Sequence, residues 1–414
     1  MTVTSDGKGA TLAQAPAHAP VGIGPGISRP APSGAGPHVG PKDAPLRVLV
    51  VTADDPARFR ALGGDDPSLP KHELAYPYYG ALREAGCRVE VVQARYRNPA
   101  SLRRAASRLA GFDVAIAWSM EGAMLALVAV PYRANRKVVT IAYANRPPRA
   151  NRLLAAMRDL VFWSGLRLGG LTLYVTREQA AEASRKFRLP AQRTGYCQVG
   201  VDAEFFAPAD VAADAPIAPD VRAAATSPYV VVAGDQQRDE ALAAKAVQGT
   251  GLRLVRLTQE PGTQRFWERH VAASPAGPPA FCRAGLTIAE VRYLYRRAVC
   301  VLNLVDNSWQ PAGLTVAKEA MACGTPLVMS SGITTRELLG FRRSFREEPF
   351  LELESLDDAD RASAAVLKLA RDRSYATEVG RAGRRLIEES LDLRDRGRAP
   401  LDLLKRHVDS MRRR

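Results

Sequence analysis

The 414-residue chain is poor in the side chains from which most metal and acid–base sites are built, with 5 histidines and 5 cysteines. Two of the histidines, His18 and His38, fall in an N-terminal stretch without apolar periodicity, so histidine-based chemistry has few candidates. Cys87, Cys197, Cys282, Cys300 and Cys323 are odd in number and scattered, with no CxxC pair. That pattern argues against a disulfide framework and a thiolate zinc site, and it suits a reducing compartment. Each reads better as a buried structural thiol. The DxD string, Asp358-Ala-Asp360, lies in an acidic, helical stretch rather than at a strand end, and reads as surface charge. No window supplies the roughly 18 uninterrupted apolar residues that a membrane-spanning helix requires, and the first residues lack the basic start and apolar core of a signal peptide. The expected location is the cytoplasm, in solution or peripheral at the cytoplasmic face of the membrane.

What is present is enough apolar content, 46% of the residues, to bury two ordinary cores. Residues 1–44 are rich in Ala, Gly and Pro and cannot repay the entropy of ordering, so they read as a disordered tail. A first α/β domain is expected over 45–208. It opens with the strand Leu46–Thr52, followed by a helix over Leu74–Glu84 and strands over Arg88–Gln93, Asp113–Trp118 and Lys137–Ile141, with a helix over Ser101–Leu109 between them. Residues 209–228 form a linker with a short helix. Tyr229-Val-Val-Val-Ala-Gly234 then restarts the pattern for a second α/β domain over 229–390, with an irregular stretch near Pro261–Pro279 and a C-terminal helical segment over 391–414. Strands alternating with helices in this way predict two doubly wound parallel sheets.

The richest segment is Pro311-Ala-Gly-Leu-Thr-Val-Ala-Lys-Glu-Ala-Met-Ala-Cys-Gly-Thr-Pro326. It follows an apolar run, Ala298–Val305, and its Pro and Gly punctuate a loop that feeds a helix beginning near Leu314. Free N–H groups at a helix start, approached through a glycine turn, suit a diphosphate. Glu319, placed in the first turn of that helix, is a double acceptor for paired hydroxyls. On physical grounds alone, a packed helix with an incidental glutamate fits equally well.

The segment resembles the donor motif of glycosyltransferase family 4, which belongs to the GT-B fold class. A second match lies upstream, where Leu173-Tyr-Val-Thr-Arg-Glu and Gly200-Val-Asp-Ala-Glu-Phe-Phe-Ala-Pro208 resemble that family's last N-domain strand and the turn into its second domain. The resemblance spans about 45–390. It implies two Rossmann-like domains facing a central cleft, with a nucleotide-sugar donor in the second and an acceptor, whether glycan, lipid or small molecule, in the first. It further implies retaining transfer without an essential metal or other cofactor, and terminal helices that cross back to brace the first domain. Glu319 would then hold the ribose, the backbone of Ala312, Gly313 and Leu314 would approach sugar and phosphates, and Arg238, in the Gly234-Asp-Gln-Gln-Arg turn, would stabilise the diphosphate.

The chain also departs from the family pattern. Pro311 stands where the family has its first glutamate, leaving Gln310, Ser308 and Asn307 as the nearby polar groups, and an extra residue separates Leu314 from Glu319. Asp235 replaces the first basic residue of the phosphate loop. Tyr143 and Asn145 stand where many members have a histidine. The remaining cleft candidates are His72 and Glu121, the latter able to orient an acceptor hydroxyl. These departures keep open a non-catalytic GT-B scaffold in a glycan-assembly complex, and a nucleotide-sugar epimerase.

The formal charge of +15 is uneven, with 13 Lys or Arg against 3 acids between Arg133 and Arg193. Arg146-Pro-Pro-Arg149-Ala-Asn-Arg152 leads into a helix carrying Phe162 and Trp163, an arrangement suited to anionic lipid headgroups. A solvated basic face with a core-facing Phe/Trp pair is the alternative. Nucleic acid is disfavoured, because no motif for it accompanies the charge.

Overall fold

The computed structural model describes residues 45–66, 69–72, 75–142, 152–197, 200–208, 216–235, 237–269, 280–305, 311–341 and 347–413. Among these described residues, twelve strands fall into two six-stranded parallel sheets. The first holds β1 (Arg47–Thr52), β2 (Arg88–Gln93), β3 (Val114–Trp118), β4 (Val138–Ala142), β5 (Leu171–Tyr174) and β6 (Thr194–Tyr196), in the order β2-β1-β3-β4-β5-β6. The second holds β7 (Tyr229–Ala233), β8 (Arg253–Thr258), β9 (Ala280–Ala284), β10 (Cys300–Asn303), β11 (Leu327–Ser330) and β12 (Leu351–Leu353), in the order β12-β11-β10-β7-β8-β9. Near-continuous apolar strands such as Val48–Val51 and Val230–Val232, fully buried, are what a sheet covered on both faces demands.

The covering helices of the first half are α1 (Pro56–Arg60), α2 (Gly80–Glu84), α3 (Pro99–Arg108), α4 (Ser119–Val128), α5 (Arg152–Leu168) and α6 (Arg177–Phe187). Then come α7 (Pro219–Ala224), α8 (Glu240–Val247), α9 (Pro261–Trp267), α10 (Ile288–Arg297), α11 (Leu314–Ala322) and α12 (Ile333–Leu339). The chain ends with α13 (Ala359–Arg371), α14 (Arg373–Leu386), α15 (Leu393–Arg396) and α16 (Ala399–Arg412). Their starts follow local chemistry. Asp239 and Asp358 accept from the amides of Leu242 and Arg361, and Thr287 and Glu290 form a reciprocal capping box. Asp358 of the DxD string is thus a helix cap.

Several expectations need correction. Leu173–Tyr174 does not end the first sheet, because β6 lies outside β5 and was too short and too polar to stand out. The stretch near Pro261 is not irregular throughout. Pro261 opens α9, whose Trp267 is fully buried. Glu319 lies in the second turn of α11, not the first. Phe162 and Trp163 face the core beside Leu166 and Leu189, so they are unavailable to a lipid surface.

The terminal helix crosses back. Leu401, Leu404 and Val408 of α16 are buried in the same core as Val48, Ile116 and Leu173 of the first sheet, and Arg412 pairs with Asp113 at 3.3 Å. Four of the five thiols are buried and Cys282 is partly so. Burial pushes those of Cys197, Cys282, Cys300 and Cys323 up to about 12.

Candidate functional site

In a doubly wound sheet, ligands sit beyond the carboxyl ends of the strands where the strand order reverses. In the second sheet that point lies between β7 and β10, and the loops leaving both strands are tied together there. Arg238, after β7, forms an isolated antiparallel bridge with Val305, after β10, and the Asp239 amide donates to the Leu304 carbonyl at 3.0 Å. Arg238 donates from Nε to the Ala233 carbonyl at 2.6 Å and from Nη1 to Oδ1 of Asn303 at 2.8 Å. Its Nη2 lies over Gly234, where a Cβ would come within 2.5 Å of it. Gly234 has φ +86°, so its lack of a side chain serves both the turn and the packed guanidinium. Burial, with Arg256 nearby, pulls the Arg238 guanidinium down to about 10, which leaves it cationic at neutral pH.

Asn303, fully buried at the end of β10, is the hinge-pin of this arrangement. While Oδ1 accepts from Arg238, Nδ2 donates to the Gly313 carbonyl at 3.0 Å. Gly313 caps α11 with φ +75°, and a Cβ there would collide with the Asn303 carboxamide. The preceding carbonyl, of Ala312, accepts from Thr334 Oγ1 at 2.9 Å. The start of α11 is thereby fixed beside Arg238. Leu314 is buried and serves packing with its side chain. Glu319 lies one turn further along, half-buried, and accepts from the hydroxyl of buried Tyr295 at 3.4 Å.

Asp235 has a structural occupation. Thr258 Oγ1 and the Gln259 amide donate to it, and Arg256 lies 3.5 Å away. Arg256 is fully buried and pairs with Glu240 at 2.8 Å, which in turn accepts from Trp267 Nε1. Asp235, Gln237, Arg238 and Glu240 line an open cleft of about 380 Å³ together with Gly262, Thr263 and Phe266 of α9.

The order of the first sheet reverses between β1 and β3, and a cavity of about 320 Å³ lies there. Thr52 at the end of β1 with Ala53 and Asp54, and Trp118 at the end of β3 with Glu121, form its wall with Phe59 and His72. Trp118 is held edge-on by Phe59 and Tyr78, at centroid distances of 5.4 and 5.6 Å. Ser119, with φ +39°, makes the tight strand-to-helix turn that brings Glu121 into the first turn of α4. Burial raises the Glu121 carboxyl above the ordinary glutamate range. The amides of Glu121 and Tyr96 oppose that rise, and Asp54 adds to it.

Of the residues singled out in the sequence, Arg238, Gly234, Ala312, Gly313 and Leu314 therefore converge on one switch point, with Glu319 along the helix that leaves it. His72 and Glu121 converge on the other. Gln310, Ser308, Asn307, Tyr143 and Asn145 lie outside the described residues. Asn303 escaped the sequence reading, although a lone amide closing the apolar strand Cys300-Val-Leu-Asn303 was the available signal.

No protein-family model and no curated protein sequence matches the chain. Solved structures do. Anabaena Alr3699/HepE, in complex with UDP-glucose, superposes with a TM-score of 0.61 at 10% identity, covering 89% of this chain and 100% of its own. The α,α-trehalose 6-phosphate synthase of Burkholderia multivorans gives 0.66 at 12% identity, with 89% and 100% covered. A glycosyltransferase from Rickettsia africae gives 0.57 at 10%, with 88% and 99% covered. At such identities the likeness establishes the fold, which is GT-B.

Proposed function

We propose that the chain is a glycosyltransferase that moves a sugar from a nucleotide diphosphate to an acceptor hydroxyl. The observation that carries this reading is the pairing of sites. At the switch point of the first sheet a cavity lies beside an aromatic wall and a carboxylate, and at that of the second Arg238 borders an open cleft and is tied through Asn303 to a glycine-opened helix start. UDP and UDP-glucose bound to the structurally similar Anabaena protein favour a nucleotide sugar as donor.

In this reading Arg238 neutralises the diphosphate and stabilises it as the sugar bond breaks. Gly313 lets the backbone of Ala312–Leu314 approach the phosphates, and Glu319, backed by Tyr295, accepts from the ribose hydroxyls. Glu121, with Trp118 and His72 around it, positions the acceptor hydroxyl. As the resemblance to family 4 implies, transfer retains configuration, with the leaving diphosphate taking the acceptor proton and no metal required.

The test is calorimetry of the full chain with a panel of nucleoside diphosphates. At least one should bind, and Glu319→Ala should weaken that binding about 10- to 100-fold, the worth of one or two hydrogen bonds to a charged group. The occupied state of Asp235 and the engaged guanidinium of Arg238 favour a second reading, a GT-B scaffold without turnover. Binding of none of the panel would establish that one.

A further inference from the structure

Large exposed apolar side chains are few among the described residues, and six of the seven, all but Phe266, lie between Val130 and Leu168. Met157, Leu160, Val161 and Leu168 recur along α5 at the spacing of one helical face, 58%, 70%, 37% and 37% exposed. The opposite face, with Phe162, Trp163 and Leu166, is the one buried. The helix is therefore apolar on both sides. Its one acid among described side chains, Asp159, is buried beside Arg158 at 3.2 Å, so no carboxylate interrupts the outer stripe.

The C-terminal end of this stripe is joined to a cationic surface. Asn135 donates to the Leu168 carbonyl at 2.6 Å, and Arg136 to that of Gly169 at 3.2 Å, so the loop carrying exposed Val130 and Tyr132 lies against it. Arg193 caps the same helix end through the carbonyls of Leu166 and Gly169. A cavity of about 530 Å³ opens there, between the first sheet and α16, and its wall contains cations but no carboxylate. Arg133 and Arg406, at that wall, make no ion pair among the described residues.

An apolar stripe beside unneutralised arginines matches one partner, an interface that is oily in depth and negative at its surface. We propose that the outer face of α5, with Val130 and Tyr132, rests in the headgroup layer of an anionic lipid bilayer, and that Arg133 and Arg406 meet lipid phosphates at the adjoining cavity. This surface consists of other residues than those at the two switch points. No helix among the described residues is long and apolar enough to cross a membrane, so the contact is peripheral.

The test is co-sedimentation of the full chain with phosphatidylcholine vesicles, with and without about one quarter phosphatidylglycerol. Binding is expected to the anionic vesicles and to weaken with salt. Leu160→Glu should reduce it about tenfold or more, the equivalent of withdrawing one leucine from an apolar phase. Arg133→Glu with Arg406→Glu should remove the preference for anionic lipid. Because all three positions are at the surface, circular dichroism and nucleotide affinity should stay as in the unaltered chain. Failure of the unaltered chain to bind anionic vesicles, or binding that survives Leu160→Glu undiminished, would overturn the proposal. So would a dimer that Leu160→Glu dissolves without any vesicle binding, since the occupant would then be a second copy.

Discussion

At the scale of single residues, Asn303 ties the turn after β7 to the start of α11. It is buried, it spends acceptor and donor on two different loops, and one of its partners is a cation. Removing it should cost stability by about 1–3 kcal/mol, because Arg238 and the Gly313 carbonyl both lose a buried partner. Asn303→Ala should thus lower the midpoint of urea unfolding and weaken nucleotide binding together, whereas Glu319→Ala should weaken binding alone. Glu121 offers a different signature. Its carboxyl titrates above the usual range because it is buried, and on the proposed function it would orient the acceptor hydroxyl as a carboxylate only above that point. The acid limb of the pH–rate profile should lie above pH ~4.5, the ordinary glutamate value, and disappear in Glu121→Gln. A limb unchanged in that variant would remove Glu121 from the acceptor site. Asn303 could be read only as a lone amide at a strand end, since its partners come from two loops that meet only in the fold, and the left-handed Ser119 left no mark in the chain.

At the scale of elements, legibility follows the length of the apolar pattern. Tyr229–Ala233 stood out because burial on both faces makes it continuously apolar, and the edge strand Arg88–Gln93 because three valines in six residues mark it as β-branched. β6, three residues with none fully buried, and β12, three residues with one, carry too little pattern to be seen, and β9 is an edge strand with no fully buried residue. The helix α5 was placed correctly, yet its faces were misassigned. With apolar residues all round, periodicity could not tell which side met the core, and the bulky Phe162 and Trp163 went inward where a strand-covering helix needs volume. The terminal helix makes the sharper prediction. Leu404 of α16 is fully buried in the first sheet's core, far along the chain from the strands it covers. Leu404→Ala should destabilise the protein by about 2–5 kcal/mol, as core truncations do, with nucleotide affinity kept wherever the chain remains folded.

At the scale of the whole molecule, the proposed transfer needs the two sheets held in register, and the described contacts include a junction between them. From α12, Glu337 accepts from the Arg177 amide at 3.0 Å and from the Tyr196 hydroxyl at 2.5 Å. The Arg177 guanidinium lies over the rings of both Tyr196 and Phe341, at 5.0 and 4.9 Å. Nearby, Arg336 pairs with Glu178, but those side chains are 56% and 49% exposed, and exposed pairs contribute ~0–1 kcal/mol. Glu337 is 5% exposed and accepts from both Arg177 and Tyr196, so a bond across the two halves is worth more here than at the exposed ion pair. Burial, Glu337 and its hydrogen bond hold the Tyr196 hydroxyl well above its usual range, so the phenol keeps the proton it donates. Glu337→Ala should cost about 1–3 kcal/mol and widen the molecule in small-angle scattering, with nucleotide affinity nearly unchanged because the Arg238–Asn303–Gly313 cluster lies within the second sheet. Turnover should fall much more than binding, since acceptor and donor are then no longer held face to face. Arg336→Ala, removing the exposed pair instead, should change neither measurement. If the two variants behaved alike, the junction would owe its strength to the packing of α6 on α12 and not to the buried carboxylate.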